Sequence, residues 1–452
     1  MTDSPYWNPR HETMPRDRLE ALQLRKLRSL VGWATQRVPW HAERLRAAGV
    51  TPDTLRSLDD LRRIPFMTRD EWMAGQDENP PFGHVLAAPA DVAIRYHTTS
   101  GTTGRTPLRV LDSMKDWEFI AEAWCYGFWG FGVRPRDTVF FAFSYGTFVG
   151  FWGAHYACEK IGCLVLPGGN MTTEQRVAMI LDMGATVVCS TPTYALRMAQ
   201  EARTMGVDLV SGPVKRLILS GEPAGSIPAT KALIERQWGA KAGDTAGMTE
   251  LGTIMMFESE NQPGGTHIIE DHYIEEVVDP ATDQPVGYGE MGERVVTSFG
   301  RGFIPVLRYR TRDLVVKVPA STSDCGRTWD LYEGGIRGRV DDMKLVRGTN
   351  VYPRAIEGIM REYPEVEEFQ VHLYTAEGIR DEIEVLVELS DGADVEAMTR
   401  AMAKKLADAH EGLRIDVRTV THQTLPRFEL KAKRLVDDRT LIGGQGEKRT
   451  QA

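Results

Sequence analysis

The sequence predicts an α/β protein built from two unequal parts. Between Asp137 and Val188, short apolar runs alternate with helical segments, which is the pattern of βαβ units and a largely parallel sheet. Past Gly265 the pattern changes to alternating strands and turns, as an antiparallel subdomain gives. After Asp342 the order is βαββαβ over about 110 residues, a small α+β layer. We therefore expect a large N-terminal domain with mixed and antiparallel sheets and a small, mobile α+β C-terminal domain.

The N-terminal part opens with a helical pattern. From Arg16 to about Ala48, leucine and valine recur near the 3.6-residue period among charged residues, which predicts one long helix or a helix pair. Short apolar runs bounded by turn residues then predict strands, and helical segments lie between the first of them. The candidate strands are residues 92–96, 138–143, 162–167, 185–190, 214–220, 274–279, 293–298 and 313–318, and the candidate helices are 155–160 and 173–183.

The change of pattern places a hinge at Asp341. It divides the chain into residues 1–341, expected to bind nucleotide and acid, and residues 342–452, expected to act as a lid. The polar, glycine-rich end is typical of a disordered tail. The elements predicted for the second part are helices at 355–363 and 395–410 and strands at 367–374 and 382–389.

Length and composition indicate a folded, multi-domain protein with small-molecule partners. The chain has 452 residues, more than one hydrophobic core usually serves, with 42% apolar and 26% charged residues. Asp and Glu number 63 against 54 Lys and Arg, which argues against nucleic acid or an anionic membrane as the partner. The first residues lack a signal-peptide pattern, and no stretch approaches the ~18 apolar residues of a membrane span. We expect a cytoplasmic protein.

The cysteines follow no disulfide or metal pattern. Their number is five, and none forms a Cys-x-x-Cys pair, so neither a disulfide framework nor a complete zinc knuckle is expected. Most are expected to be buried thiols. They are Cys125, Cys158, Cys163, Cys189 and Cys325.

The strongest local motif is a loop of hydroxyl and glycine residues after the candidate strand 92–96. Glycines let the backbone approach a ligand, and hydroxyls and free N–H groups can surround phosphate oxygens. The loop matches neither the Walker pattern, because Thr106, five residues after Gly101, stands where that pattern needs its second glycine, nor G-x-G-x-x-G. The alternative is a surface turn. The candidate triphosphate-binding residues are Thr99, Ser100, Gly101, Thr102, Thr103, Gly104 and Arg105.

A second cluster runs from Asp244 through Thr245, Ala246 and Gly247 to Thr249 and Glu250. A carboxylate next to a hydroxyl on a glycine turn suits a Mg²⁺ ion that bridges phosphates, while the hydroxyl holds one phosphate oxygen. The alternative is an ordinary helix start capped by Thr249 or Asp244.

A third cluster pairs Asp313 with Arg339. Asp313, at a strand end, can accept hydrogen bonds from both ribose hydroxyls, and Arg339 can neutralise a phosphate or anchor the ribose. Surface ion pairs and a β-turn are the alternatives for the segments 308–313 and 338–342.

The last cluster is the basic run 426–434, which contains Lys431. A lysine on a loop of a mobile domain can reach a cleft and stabilise the charge on a carboxylate attacking an α-phosphate. A solvated basic face is the alternative.

These four clusters, in this order and spacing, resemble the acyl-adenylate-forming superfamily of acyl-CoA synthetases, peptide-synthetase adenylation domains and luciferases. Three further segments are similar to the phenylacetate-CoA ligase family, and that resemblance runs from about Tyr6 to Arg439. The segments are Tyr6-Trp-Asn-Pro-Arg with Glu12-Thr-Met-Pro-Arg, Ser190-Thr-Pro-Thr-Tyr-Ala-Leu, and Arg308-Tyr-Arg-Thr-Arg-Asp.

The resemblance implies a two-step, AMP-forming reaction. ATP and Mg²⁺ would activate an aromatic carboxylic acid as acyl-AMP, and rotation about Asp341 would then open a channel for coenzyme A, lined by residues 347–350. The resemblance leaves a carrier-protein thiol or an amine as alternative acceptors of the acyl group. It also leaves the oligomeric state open, with a homodimer as one possibility. The roles implied are pyrophosphate binding for residues 100–106, Mg²⁺ for Glu250, the α-phosphate for Thr249, ribose for Asp313, adenine for Gly221, Glu222 and Pro223, and adenylation for Lys431.

Several positions depart from the family pattern. Arg105 stands where the family usually has lysine, Ala246 where an aromatic residue stacks on adenine, and Leu430 where glycine precedes the catalytic lysine. These departures leave a non-catalytic binding homologue as a rival, although Lys431, Glu250 and Asp313 are retained. Many family members carry a cysteine-rich zinc site. Of its ligands only His267 and Cys325 are retained in this sequence, and Ser323 replaces a cysteine, so we predict no intact zinc site.

The resemblance puts the acid pocket beside the segment 141–148. Tyr145 and Phe148 are the first candidates to surround an aromatic ring, and Ala246 and Gly247 complete the predicted substrate set. The alternative is that these aromatic residues belong to the core. His155, which is close to this segment in sequence, is a further candidate, with a structural role as the alternative.

Overall fold

The computed structural model describes residues 4–99, 107–376, 380–428 and 432–439. The helices in these ranges are α1 Pro9–Glu12, α2 Arg16–Arg37, α3 Pro39–Ala47, α4 Arg69–Glu78, α5 Met114–Gly130, α6 Trp152–Ile161, α7 Thr173–Asp182, α8 Pro192–Thr204, α9 Pro228–Trp238, α10 Pro353–Met360 and α11 Val395–Ala409. The strands are β1 Arg95–Thr98, β2 Arg109–Asp112, β3 Thr138–Phe141, β4 Leu164–Pro167, β5 Val187–Ser190, β6 Arg216–Leu219, β7 Lys241–Gly247, β8 Ile254–Ser259, β9 Gln262–Ile268, β10 Tyr273–Val278, β11 Met291–Ser298, β12 Val306–Val318, β13 Leu331–Glu333, β14 Gly338–Arg339, β15 Lys344–Val346, β16 Thr349–Val351, β17 Val366–Ala376, β18 Arg380–Leu389, β19 Asp416–Thr419 and β20 Leu435–Asp437.

Half of the main sheet is parallel, as the βαβ pattern predicts. Strands β4, β3, β5, β6 and β7 lie side by side in that order, and all four pairings are parallel. Helices α6 to α9 connect them in sequence. Every residue of β5 is buried, which explains why Val187, Val188 and Cys189 are consecutive apolar residues rather than an alternating pattern.

The other half of the sheet is antiparallel. It continues from β7 through β8, β9, β13, β12 and β11 to β10, and β14 also pairs with β12. The strands predicted at 293–298 and 313–318 are confirmed within β11 and β12, and the one predicted at 274–279 is confirmed as β10, which ends one residue earlier. The strand predicted at 92–96 begins later, at Arg95, because residues 90–92 after Pro89 form a 3₁₀ turn.

The N-terminal helical pattern is a helix pair. Pro39 ends the continuity, since proline lacks the N–H that would extend α2 and suits the first turn of α3. Leu27, Val31 and Ala34 of α2 are fully buried and pack with Leu45 of α3. This pair covers the edge of the antiparallel half through Ile274 and Leu307.

The C-terminal part is a separate α+β layer with its own core. Its sheet has the order β19-β18-β17-β20, with β17 and β18 antiparallel and both outer pairings parallel. Helices α10 and α11 bury Ile356, Met360, Met402 and Leu406 against it. The αββαβ order is confirmed. The strand that precedes α10 is part of a separate hairpin, β15–β16, and β20 completes the sheet.

None of the helices in the described ranges is long and apolar enough to cross a membrane. The five cysteine thiols are free, and Cys125, Cys158 and Cys189 are buried.

Candidate active site

Predicted site residues follow the ends of two neighbouring parallel strands, β6 and β7, and the end of β1, which belongs to a separate two-stranded sheet. Thr99 follows β1, Thr249 and Glu250 follow β7, and Gly221 follows β6. The carboxyl ends of parallel strands share one edge of a sheet, where ligands bind in open α/β sheets. Residues 100–106 and Lys431 lie outside the described residues, so their predicted contacts stay predictions.

Arg69 connects the first two clusters. Its Nη1 donates to Oε1 of Glu250, and its Nη2 donates to Oγ1 of Thr99 at 3.1 Å. The same hydroxyl accepts from Leu108 N at 3.2 Å. The carboxylate of Glu250 is almost fully buried, whereas the Arg69 side chain is 42% exposed. The start of the predicted phosphate loop and the predicted magnesium carboxylate are therefore in one contact network.

Arg69 is not among the residues predicted from the sequence, although one signal points to it. It is the first residue of α4, behind a capping box made by Thr68 and Glu71. A cation in the first turn of a helix faces the positive end of the helix dipole, which is unfavourable for stability. Such a residue needs an anionic partner, and Glu250 supplies it.

A buried ion pair supports the main chain of Thr249 and Glu250. Arg301 donates to both carboxylate oxygens of Asp112, at 2.7 and 2.9 Å, and both side chains are essentially inaccessible. Its Nη1 also donates to the carbonyl oxygens of Thr249 at 2.5 Å and Glu250 at 3.1 Å. The guanidinium thus fixes the turn that presents both predicted residues. Neither Arg301 nor Asp112 belongs to a motif that the sequence predicts to be functional.

Asp313 and Arg339 lie opposite each other where β12 pairs with β14. Oδ1 of Asp313 is 3.6 Å from Arg339 Nη1, and its Oδ2 is 3.8 Å from Nη1 of the buried Arg294. Burial raises the pKa of Asp313, and both guanidinium groups act against that rise. A buried carboxylate with long contacts to two cations keeps the capacity to accept further hydrogen bonds.

The segment Gly221-Glu222-Pro223 leads from β6 into a 3₁₀ turn. Gly221 has φ +98°, a conformation that favours glycine. Both carboxylate oxygens of Glu222 already accept main-chain hydrogen bonds, from Thr193 N at 2.7 Å and from Ala432 N at 3.1 Å. The Glu222 side chain is therefore engaged by protein groups.

Asp244 and Thr245 lie within β7 and are buried. The Thr245 hydroxyl donates to Leu219 O at 2.9 Å and so ties β7 to β6. Burial, together with Glu258, raises the pKa of Asp244 well above its usual range. Their predicted cofactor contacts stay predictions.

The predicted acid-binding residues lie beside β1. Thr98 N donates to Thr147 O at 2.8 Å, and Thr98 forms a parallel bridge with Phe148. The Tyr145 ring packs 4.3 Å from the Phe143 ring and 4.8 Å from the Trp152 ring. Its hydroxyl is 2.9 Å from His155 Nδ1. This aromatic group therefore adjoins the strand that leads into the predicted phosphate loop.

Ala246 and Gly247 form the end of β7, opposite Met256 and Ile254. A Cβ at Gly247 would lie 2.4 Å from Thr253 O, so the close approach of β7 and the following turn requires glycine there. Ala246 is half-buried.

His267 and Cys325 are in contact, with Nε2 and Sγ 3.2 Å apart. Burial and the nearby Arg327 lower the pKa of His267 to about 3. Arg327 Nη1 is 3.8 Å from the same sulfur. Ser323 Oγ accepts from Cys325 N at 3.3 Å.

Comparison with known proteins identifies the family. The AMP-binding enzyme family matches residues 34–300, more than half of the chain, and the AMP-binding enzyme C-terminal domain matches residues 348–439. A phenylacetate-coenzyme A ligase from Thermus thermophilus is 36% identical over 85% of this chain and 84% of its own. The Escherichia coli phenylacetate-coenzyme A ligase is 31% identical over 96% of this chain and 98% of its own.

Solved structures agree over nearly the whole chain. A 2-hydroxyisobutyryl-CoA ligase in the postadenylation state, in complex with R3-HIB-AMP, superposes with TM-score 0.91 at 30% identity, covering 97% of this chain and 93% of its own. The same ligase with 2-HIB-AMP and CoA in the thioesterification state gives TM-score 0.74 at 31% identity, covering 97% and 94%. With the sequence relatives, these matches show that the chain belongs to the AMP-binding, acyl-adenylate-forming enzymes and, within them, to the phenylacetate-CoA ligase family.

Proposed function

We propose that the protein is an AMP-forming ligase that activates an aromatic (aryl or arylacetic) carboxylic acid as acyl-AMP and transfers the acyl group to coenzyme A. The observation that carries the proposal is the Arg69 bridge, which joins Thr99, at the start of the predicted phosphate loop, to Glu250. Asp313 lies close enough to Glu250 for their charges to interact. One nucleotide could therefore contact all three clusters.

The chemistry proceeds in two balanced steps. A carboxylate oxygen of the acid attacks the α-phosphorus of ATP, and the bond to the leaving pyrophosphate breaks. The sulfur of coenzyme A then attacks the acyl carbon, the bond to AMP breaks, and the thiol proton passes to solvent. Because carboxylate and ATP are both anions, catalysis depends on charge neutralisation and positioning.

The residues divide these tasks. Thr249 and Glu250, on the turn fixed by Arg301, would face the α-phosphate, and Asp313 would accept hydrogen bonds from ribose. The oxygen of Glu250 that now meets Arg69 is a ligand type that Mg²⁺ prefers, and the ion would supply positive charge to the triphosphate. Lys431 would contribute its ammonium group to the first step only, while Arg105 and its neighbours would hold pyrophosphate.

The arrangement of the two parts supports the adenylation posture. A TM-score over the whole chain falls when one part rotates, and it is 0.91 against the postadenylation state but 0.74 against the thioesterification state. We infer that residues 1–341 and 342–452 move as two units about Asp341. Arg339 Nε donates to Asp341 Oδ1 at 3.2 Å, next to this hinge.

An aromatic substrate is favoured by the ring cluster of Phe143, Tyr145 and Trp152 and by the phenylacetate-CoA ligase relatives. The solved neighbour is named for an aliphatic hydroxy acid, so the choice of acid must be tested. We further propose a cytoplasmic location for the enzyme. Light scattering of the purified protein would test whether it forms a homodimer.

The purified protein should release pyrophosphate and exchange ATP with pyrophosphate only when a suitable acid is present. Phenylacetate, benzoates and 2-hydroxyisobutyrate form the test panel, with Mg²⁺ present or chelated. Coenzyme A, a carrier protein and an amine are then supplied as acceptors. Absence of acid-dependent exchange across the panel would favour a non-catalytic binding protein, and acyl transfer only to carrier protein or amine would correct the acceptor.

Lys431→Ala provides the second test. We expect it to abolish adenylation and to leave transfer from preformed acyl-AMP to coenzyme A largely intact, because the lysine is withdrawn during the second step. Equal loss of both half-reactions would contradict the two-posture mechanism.

A further inference from the structure

The carboxylate of Glu222 joins the two parts of the molecule. Oε1 accepts from Thr193 N at 2.7 Å, and Oε2 accepts from Ala432 N at 3.1 Å. Thr193 belongs to α8 of the N-terminal part, and Ala432 belongs to the C-terminal part. Of the described residues, Ala432 is the first after the segment that contains Lys431.

The N-terminal end of this bridge is built into the fold. Thr193 lies in the first turn of α8, where main-chain N–H groups lack partners within the helix. The neighbouring Thr191 hydroxyl accepts from Tyr194 N at 3.2 Å, and Glu222 accepts from the adjacent N–H group, that of Thr193. A carboxylate at this position also faces the positive end of the helix dipole. Glu222 is thus held in place before the C-terminal part docks.

A second contact joins the same turn of α8 to the same C-terminal segment. Arg434 Nη1 is 3.4 Å from the Thr193 hydroxyl, and its guanidinium is paired with Glu368 at 2.7 Å and Glu357 at 3.3 Å. Arg434 is only 8% exposed. Two contacts therefore fix residues 432–434 against α8.

The bond between Glu222 and Ala432 acts directly beside the proposed adenylation lysine in sequence. The Ala432 nitrogen that donates to Glu222 is the one that forms the peptide bond to residue 431. A rotation of the C-terminal part away from α8 would break the bond between Glu222 and Ala432.

We propose that Glu222 is a positioning residue, which docks the C-terminal part in the adenylation posture by holding the Ala432 amide. The proposal rests on the proposed two-step function. It replaces a direct contact with adenine, because both oxygens of Glu222 are already bonded to main-chain N–H groups.

The two half-reactions test it separately. We expect Glu222→Ala to lower the rate of acid-dependent ATP–pyrophosphate exchange roughly ten- to a hundredfold, the range for losing a hydrogen bond to a charged group. Transfer from synthetic acyl-AMP to coenzyme A should stay within about twofold of wild type, because that step uses the rotated posture. Glu222→Gln should be intermediate, since its amide nitrogen cannot accept from one of the two N–H groups.

Glu362→Gln is the matched control. Glu362 pairs with Lys405 on the exposed surface of the C-terminal part, and both half-reactions should remain at wild-type rates. A fluorescence energy-transfer pair on the two parts gives a second readout. In the presence of ATP and acid, Glu222→Ala should populate the docked distance less than wild type.

Three outcomes would overturn the proposal. They are an equal loss of both half-reactions, a rise in KM for ATP with unchanged adenylation kcat, as an adenine contact predicts, and wild-type behaviour of Glu222→Ala in both half-reactions. Inactivity of the wild-type protein would instead contradict the proposed function. A variant that unfolds is identified by its melting temperature, and Glu222→Asp, which keeps the charge on a shorter side chain, then provides the test.

Discussion

Arg69 and Glu250 form an ion pair across 181 residues of sequence. The pair places a positive charge on the carboxylate that is proposed to serve Mg²⁺, and the same guanidinium reaches Thr99 at 3.1 Å. In the proposed mechanism Glu250 would hold Mg²⁺ in place of part of this contact, and the exposed Arg69 side chain would be free to contact the triphosphate. Planar guanidinium groups form paired hydrogen bonds with phosphate.

We therefore expect Arg69→Ala to raise KM for ATP roughly tenfold or more, the effect of losing one charge-assisted hydrogen bond. Arg69→Lys should be intermediate, because it keeps the charge but not the fork. Steady-state kinetics at saturating acid measure the effect. Arg62→Ala, which removes an exposed pair with Asp59, is the control and should leave KM for ATP unchanged. Equal KM values in Arg69→Ala and wild type would exclude Arg69 from nucleotide binding.

The buried pair of Arg301 and Asp112 is predicted to be essential for stability. Removing one partner leaves an uncompensated buried charge, so Arg301→Ala and Asp112→Ala should each destabilise the N-terminal part by about 3 to 5 kcal/mol. The double variant should lose less than the sum of both, because neither charge remains alone. Urea denaturation measures these differences.

Arg400→Ala breaks an exposed pair with Glu396 and serves as the control. It should change stability by less than about 0.5 kcal/mol. Additive losses at Arg301 and Asp112 would show that the two side chains contribute independently, contrary to the geometry.

The parallel half of the sheet could be predicted because its inner strands β3, β5 and β6 are mostly buried on both faces. At β5 three apolar residues follow one another without alternation, and turn residues mark both ends of the run. The antiparallel half was predicted as a set of strands but not in its spatial order. In β9-β13-β12, residues far apart in sequence become neighbours, and local periodicity carries no information on that pairing.

The candidate site likewise contains residues that the sequence could identify and residues that only the fold reveals. Glu250 and Asp313 belong to motifs, so the sequence could single them out. Arg69, Arg301 and the bond from Ala432 to Glu222 depend on long-range contacts that no local pattern contains. Glu222 was predicted to line the adenine slot from its motif alone, and only the fold shows that both of its oxygens meet main-chain donors.

His41 is predicted to make the protein less stable in mild acid. Its Nε2 is 2.9 Å from Pro305 O, and burial, with Arg44 nearby, lowers the pKa of His41 to about 4. Below pH ~6.5 the unfolded chain binds a proton that the folded protein excludes, so stability falls from pH ~6.5 to pH ~4 and levels off below.

His41→Gln removes this proton uptake and keeps a donor toward Pro305 O. Between pH 7 and pH 5, the variant should lose about 1 to 2 kcal/mol less stability than wild type. Urea denaturation at the two pH values is the measurement. Parallel stability curves for the two proteins would mean that His41 does not cause the loss.

Tyr145 offers a test of substrate class that leaves the nucleotide site untouched. Its ring lies between Phe143 and Trp152, and its hydroxyl meets His155 Nδ1 at 2.9 Å. If the ring packs against an aromatic acid, Tyr145→Ala should raise KM for that acid at least about tenfold, since burying an aromatic side chain contributes roughly 1.5 to 3 kcal/mol. KM for ATP should stay unchanged.

Tyr145→Phe separates the ring from the hydroxyl. We expect unsubstituted aromatic acids to be used nearly as well as by wild type, because the ring contacts remain and only the bond to His155 is lost. Tyr288→Ala removes a tyrosine that is 56% exposed in the antiparallel half, and it should not alter KM for the acid. If Tyr145→Ala instead lowers thermal stability without changing KM for any acid, the ring belongs to the core, and the acid binds elsewhere along the cleft.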